Sequence, residues 1–398
     1  MAVGESTTDF KVVGGVRLSS VAAGIKKNGK NDLVLFEFSP GSATAGMFTK
    51  NLFAAAPVQV GKRHLSNPHS RYFLINSGNA NAGVGEVGVQ DALACCKAMS
   101  QLTGASPEEV IPFSTGVIGE RLPVEKLTNA LSSAISGLSE TNWLEAARGI
   151  MTTDTRPKIA SREVSIDGKV VTLTGIAKGA GMIQPNMATM LCYMATDGAC
   201  EPGALKAHLA RAVNKSFNRI TIDSDTSTND SCMLTATGAA GVDVTTSEAF
   251  AEALDSLCLE LAQAIVRDGE GATKFVEVQV GGGKSGEECL AIAYSIANSP
   301  LMKTALSASD ANWGRIVMAI GKAPVTIDID KLDVYLGDVQ LMRAGQKHPD
   351  YTEAAGAAVV AKEEILIRIE LNAGDARETV WTTDLSHDYV TINAEYRT

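Results

Sequence analysis

Short apolar runs alternate along this chain with longer amphipathic stretches, and that rhythm places its elements. Residues 33–38 and 72–76 are brief runs rich in aliphatic and aromatic side chains, which predicts strands. Residues 89–102 carry apolar side chains at helical spacing. Helices are expected in the same way over 124–135, 143–151 and 203–217. Residues 110–113 form a short strand candidate running into a Gly-containing turn. Residues 164–174 alternate about Asp167-Gly168, a strong hairpin signal. Thr245-Thr-Ser-Glu248 fits a capping box ahead of a helix reaching about Val266.

Further on, residues 275–280 put Val276, Val278 and Val280 on one face of a strand. Gly281-Gly-Gly283 then breaks the pattern and marks an expected domain boundary. Helices near 287–298 and 313–320 follow, and then strands at 325–329, 365–371, 379–383 and 389–393. The mixture predicts a layered α+β architecture. It divides into residues 1–280 and a smaller C-terminal part, 281–398.

Composition narrows the class. At 398 residues, with 45% hydrophobic and 20% charged positions, the chain has the profile of a globular protein of more than one domain. Its net charge of −10 and lack of a basic block argue against a nucleic-acid surface. No apolar run reaches the length of a membrane span. Residues 1–10 lack the features of a signal peptide, so a cytoplasmic location is the expectation. The seven cysteines are scattered, with no CxxC pair, and the five histidines show no ligand spacing. Neither a disulfide framework, nor a metal, nor another cofactor is expected. Nucleotide-binding glycine motifs and a GxSxG elbow are also missing.

The richest chemistry lies in Gly175-Ile-Ala-Lys-Gly-Ala-Gly-Met-Ile-Gln-Pro-Asn-Met-Ala-Thr-Met-Leu191. A mid-chain threonine is a weak nucleophile, because no base stands beside its hydroxyl. Cleavage between Ala188 and Thr189 changes this. Thr189 then carries an α-amine with a pKa of about 7.7–8, well placed to act as general base for its own hydroxyl. Ala188 leaves the attacked carbonyl uncrowded, and Pro185-Asn186 favours a turn upstream. An ordinary packed segment is the alternative reading.

Other segments carry paired readings too. Ser114-Thr-Gly-Val-Ile-Gly119 would offer N–H groups and a hydroxyl to a developing oxyanion, or form a plain turn. Asn76-Ser-Gly-Asn-Ala-Asn-Ala82 is too polar for a strand and would line an active site or build an elaborate turn. Met151-Thr-Thr-Asp-Thr155 would bind polar groups or cap a helix. Glu270, between two glycines, would meet a cationic group or be a solvated carboxylate. The alternation of the last residues, through Thr398, suggests a docked tail.

Together these segments resemble the glutamate N-acetyltransferase family, also called ornithine acetyltransferase, of arginine biosynthesis. The resemblance spans essentially the whole chain. It also takes in Ala22-Ala-Gly-Ile-Lys26, Ala54-Ala-Ala-Pro57, Asp268 to Lys274 and Asn312-Trp-Gly-Arg315. The chain departs from the family pattern at Ala308 and Ala311, where Gly and Pro are usual.

The resemblance implies autocleavage into an α chain, 1–188, and a β chain, 189–398, assembled as α2β2. It implies an αββα sandwich similar to N-terminal nucleophile hydrolases, with a smaller C-terminal α/β domain whose tail reaches the active site. Thr115 and Gly116 would form the oxyanion hole. Thr152, Lys178, Thr189, Glu270, Asn393 and Thr398 would contact substrate. The acetyl group would pass from N2-acetylornithine to glutamate through acetyl-Thr189. Whether acetyl-CoA also serves as donor stays open, as does an amidase that uses water as acceptor.

Overall fold

A computed structural model describes residues 2–5, 7–27, 29–184 and 190–395. Packing divides the chain into two compact units. The larger comprises Ser6–Asn218 and Thr226–Ile265; the smaller comprises Met1–Glu5, Arg219–Asp225 and Val266–Thr398.

The strands of the larger unit are β1 Val16–Val21, β2 Leu33–Phe38, β3 Ala43–Phe48, β4 Tyr72–Asn79, β5 Val110–Val117, β6 Lys158–Ile166, β7 Lys169–Lys178, β8 Leu191–Thr196 and β9 Ser231–Ala236. Its helices are α1 Ala56–His64, α2 Glu86–Thr103, α3 Val124–Ser136, α4 Trp143–Ile150, α5 Pro202–Lys215 and most of α6 Glu248–Arg267. Among the described residues the strands form two sheets, ordered β1-β2-β4-β5 and β3-β9-β8-β7-β6. The pairs β4–β5 and β8–β9 are parallel and the others antiparallel.

The sheets face one another across an aromatic core. Phe36, Phe73 and Phe113 of the first sheet meet Tyr193 of the second, with Phe113 edge-on to Tyr193 at 5.0 Å between ring centroids, and Phe38 packs against Phe36 and Phe73. Trp143 of α4 joins the same core. On the far side of the first sheet, Leu33, Leu35 and Leu74 pack against Cys95, Cys96 and Met99 of α2 and Leu127 and Leu131 of α3. On the far side of the second, α6 lies so close to Gly175 that an added Cβ would come within 3.0 Å of Leu261. Helix, sheet, sheet, helix is the layering that the family resemblance implies, and burial on both inner faces is the reason for it.

The smaller unit holds β10 Phe275–Gly283, β11 Asp333–Leu336, β12 Val339–Arg343, β13 Gln346–Lys347, β14 Glu364–Glu370 and β15 Ala376–Thr383. They form a sheet ordered β13-β12-β11-β14-β10-β15. Its helices are α7 Gly286–Ala297, α8 Pro300–Ser307, α9 Trp313–Gly321, α10 Glu353–Val360 and α11 His387–Glu395. Val276, Val278 and Val280 bury one face of β10 in a core shared with Cys289, Ile292 and Ile296 of α7.

Local departures from expectation have physical causes. The strand expected over 275–280 continues through Gly281–Gly283, because the missing side chain leaves room for the Arg377–Glu370 ion pair beside it. Residues 389–393 form part of helix α11 rather than a strand. Their alternation is too short to fix a period, and Tyr389 is tethered instead through its hydroxyl to Asp223 Oδ2 at 3.2 Å. Among the described residues, 325–329 pair with no strand and lead into a 3-10 turn at Ile329–Lys331. Ser247 rather than Thr245 accepts a bond near the start of α6, from the Phe250 amide at 3.2 Å. The Asp167-Gly168 hairpin stands, with both residues at positive φ as a type I′ turn requires.

Candidate active site

Parallel strands β4 and β5 both end in polar motifs, which the sheet places side by side. Ser77 pairs with Thr115 and Gly78 with Gly116. The Asn-rich segment is thus partly strand, contrary to its polarity, because its amides are spent on backbone. Asn76 Nδ2 donates to Asn79 O at 2.8 Å, and Asn81 Nδ2 to Gly88 O at 3.0 Å. Asn76 Oδ1 accepts the Ser114 hydroxyl at 2.6 Å.

Gly116 has φ +135°, in a region that side chains avoid. A Cβ there would sit 2.3 Å from Gly78 C and 2.5 Å from Asn79 N. Only glycine lets the two strand ends approach this closely. Backbone groups of successive strand residues turn to opposite edges, so β5, at the edge of its sheet, offers some of its N–H groups outward.

Lys178 closes β7 and donates from Nζ to Thr115 Oγ1 at 3.0 Å. With the oxygen engaged as acceptor, the Thr115 hydroxyl proton is available to donate onward. Nearby, Asp154 accepts from Lys158 Nζ at 2.6 Å, from Gly179 N at 2.7 Å and from Thr152 N at 3.0 Å. Burial alone would raise the Asp154 carboxyl, but Lys158 and Lys178 outweigh it and hold it well below the usual range. Thr115, Gly116, Lys178 and Thr152 are therefore brought into one neighbourhood.

Three further residues stand out, of which Lys26 belongs to a segment that carried the family resemblance, whereas Asp230 and Asn229 had no signal of their own in the sequence. Burial lowers the Lys26 ammonium to about 8, with Asp32 acting the other way. Its Nζ reaches Gly149 O at 3.2 Å, a carbonyl shared with Ser77 Oγ at 2.6 Å. Burial pushes the Asp230 carboxyl well above its usual range, against the pull of Ser227 and Lys178. Asp230 Oδ2 has no hydrogen-bond partner among the described residues. Asn229 bridges two backbone carbonyls, of Ala80 and Ser114. A lone Asn or Asp carries no local pattern, so only the fold reveals Asp230 and Asn229.

In the smaller unit, Glu270 Oε2 accepts from Asn393 Nδ2 at 2.7 Å, and Asn393 also bonds Tyr389 O at 3.0 Å. Glu270 and Asn393 are thus joined with each other. Ala188, Thr189 and Thr398 lie outside the described residues. Among the described residues no group of His, Cys, Asp or Glu is placed to hold a metal ion, and no helix is long and apolar enough to cross a membrane.

Comparison with known proteins gives this arrangement its context. The ArgJ family pattern matches residues 17–398. An arginine biosynthesis bifunctional protein ArgJ of Pseudomonas fluorescens (strain Pf0-1) is 54% identical over 393 residues, covering 97% of both chains. The protein of the same name from Methylococcus capsulatus is 51% identical over 397 residues, covering 97% of this chain and 96% of its own. A crystal structure of ornithine acetyltransferase with ornithine, from Mycobacterium tuberculosis, is 37% identical over 44% of this chain and 94% of that one, with a TM-score of 0.39. The resemblance read from the sequence holds along nearly its whole length: this chain belongs to the ArgJ family of enzymes.

Proposed function

We propose that the protein moves an acetyl group from N2-acetylornithine to glutamate through an ester on Thr189, after cutting its own Ala188–Thr189 bond. The observation that carries this reading is the pairing of Lys178 with Leu191 across β7 and β8. Thr189 is two residues from Leu191 along the chain. Lys178 in turn holds the Thr115 hydroxyl through a hydrogen bond of 3.0 Å. Met190, the next residue, is buried, with its carbonyl held by Ser231 N at 2.9 Å. Family membership supports the pathway, since the relatives carry arginine biosynthesis in their name.

The chemistry follows from these groups. The Thr189 α-amine takes the proton from its own hydroxyl, and the oxygen attacks the acetyl carbon. Charge gathers on the acetyl oxygen, where the Thr115 hydroxyl and the Gly116 N–H donate to it. Such preorganised donors are worth a few kcal/mol in the transition state. The C–N bond breaks as the α-ammonium returns its proton to the departing amine of ornithine. The amine of glutamate then attacks acetyl-Thr189 by the same steps reversed. An acetyl group passed between two similar amides by way of an ester needs no nucleotide. Glu270 and Asn393 would read the substrate's amino groups, with Thr152, Lys178 and Thr398 completing the contacts.

Purified protein incubated with N2-acetylornithine and glutamate should yield N-acetylglutamate and ornithine with ping-pong kinetics. Intact mass should show two fragments meeting at 188/189. Ornithine release that proceeds equally without glutamate would replace the transferase by an amidase. A parallel arm with acetyl-CoA and glutamate decides whether the thioester is a second donor.

A further inference from the structure

We propose that Asn229 is a positioning residue that holds the oxyanion-binding end of β5, an inference that rests on the acyl-transfer reading above. Asn229 immediately precedes Asp230 and the start of β9, and it is buried. Its Nδ2 donates to Ala80 O at 2.6 Å and to Ser114 O at 2.9 Å. Its Oδ1 accepts from the Thr228 hydroxyl at 2.6 Å. Both N–H donors and the carbonyl oxygen of the amide are engaged, so its orientation is fixed.

The carbonyl it grips is strategic. Ser114 comes just before Thr115, and among the described residues β5 lies at the edge of its sheet, with no further strand beside it. Polar groups of alternate strand residues point to the same edge. The trans peptide joining Thr115 to Gly116 therefore sends the Gly116 N–H toward the side on which Asn229 meets the Ser114 carbonyl. The second bond, to Ala80, fixes the chain just beyond β4, where Ala80 N also bonds Val117 O at 2.9 Å. One amide thus staples both strand ends at the place where Gly78 and Gly116 approach.

Two residues on, Ser231 N holds the carbonyl of Met190 at 2.9 Å. The tripeptide 229–231 consequently fixes the oxyanion donors and the residue after Thr189 from one short rigid piece of backbone. Its function is spacing: a displacement of about 1 Å between nucleophile and donors is enough to lower turnover about a hundredfold.

The test uses full-length protein carrying Asn229→Ala or Asn229→Asp, the second having nearly the same shape. With N2-acetylornithine and glutamate as substrates, kcat should fall about 10- to 100-fold, while KM for N2-acetylornithine stays within about twofold. Precursor cleavage, followed on a denaturing gel, should slow as well. In a Thr115→Ala background the same substitution should lose part of its effect, because one of the two donors it positions is gone while the Gly116 N–H remains. A folded Asn229→Ala protein with wild-type kcat, or one whose loss is undiminished beside Thr115→Ala, would overturn the proposal. If the alanine variant does not fold, Asn229→Asp is read by the same criteria. Wild-type protein that transfers no acetyl group sinks the acyl-transfer reading and this inference with it. Equal rates in wild type and variant sink the inference alone.

Discussion

The two places where substrate-contacting residues are expected are built on opposite plans. In the larger unit, Thr115, Gly116 and Lys178 end strands whose other residues form the aromatic core, and buried amides and carboxylates occupy the backbone around them. In the smaller unit, Glu270 sits in a loop and Asn393 on helix α11, which buries none of its residues. The first plan suits groups that must meet a developing charge without moving. The second suits recognition, since ornithine and glutamate share an α-amino acid end but carry side chains of opposite sign. Substitutions should therefore cost turnover in the first region and selectivity in the second.

The sharpest way to break that comparison is Thr189→Ala. It removes nucleophile and base together, so transfer should fall by on the order of 10⁴-fold or more, and the precursor should remain a single band on a denaturing gel. Retained turnover would place the chemistry elsewhere. Gly116→Ala comes next. The added methyl would lie 2.3 Å from the Gly78 carbonyl carbon, so β4 and β5 must separate. Transfer should drop by about 10²-fold or more, the scale of losing an oxyanion donor, with a lowered Tm from the clash. A protein with normal kcat would show that this strand end takes no part.

Much of the larger plan was legible in the chain. The strand at 33–38, the helices at 124–135 and 143–151 and the Asp167-Gly168 hairpin all follow local patterns that burial reinforces. Strands β8 and β9 were not legible, because all six residues of each are buried and nothing alternates. The Ser114–Gly119 segment was readable as an anion-facing turn. The partner that holds it was not, since Asn229 meets Ser114 only across a long stretch of chain. Helix α11 was misread because Val390, Thr391 and Ile392 favour strands intrinsically, whereas tertiary tethers from Tyr389 to Asp223 and from Asn393 to Glu270 select the helix.

Asp154→Asn tests how far the buried supports matter beyond the reacting groups. It leaves Lys158 without its carboxylate in a buried site, a change that typically destabilises by about 3–5 kcal/mol. Thermal unfolding should show a marked fall in Tm. The pH dependence has a definite sign. The carboxyl titrates lower in the folded protein than its unfolded value of about 3.9. Its contribution is therefore complete above that value and is lost as the pH falls toward the folded one. The wild type should lose stability faster than Asp154→Asn as acid is added below about pH 4. Parallel acid profiles would remove Asp154 from the account.

Glu270→Gln should give the smallest effect and tests the other half of the comparison. The amide keeps the shape, and its oxygen still accepts from Asn393, so stability should hardly change. The negative charge is lost, however, and with it the attraction for an ammonium group. An exposed charge contact is worth up to about 1 kcal/mol, roughly fivefold in affinity. KM for N2-acetylornithine should rise by about that factor, while KM for glutamate stays level or falls, because repulsion of its side-chain carboxylate is relieved. High salt should narrow the difference between variant and wild type, as screening weakens the same contact. If both Michaelis constants are unchanged, Glu270 does not read the substrates. If kcat falls instead of KM rising, Glu270 acts on the reacting groups, and the division between a rigid catalytic region and an adaptable recognition region fails.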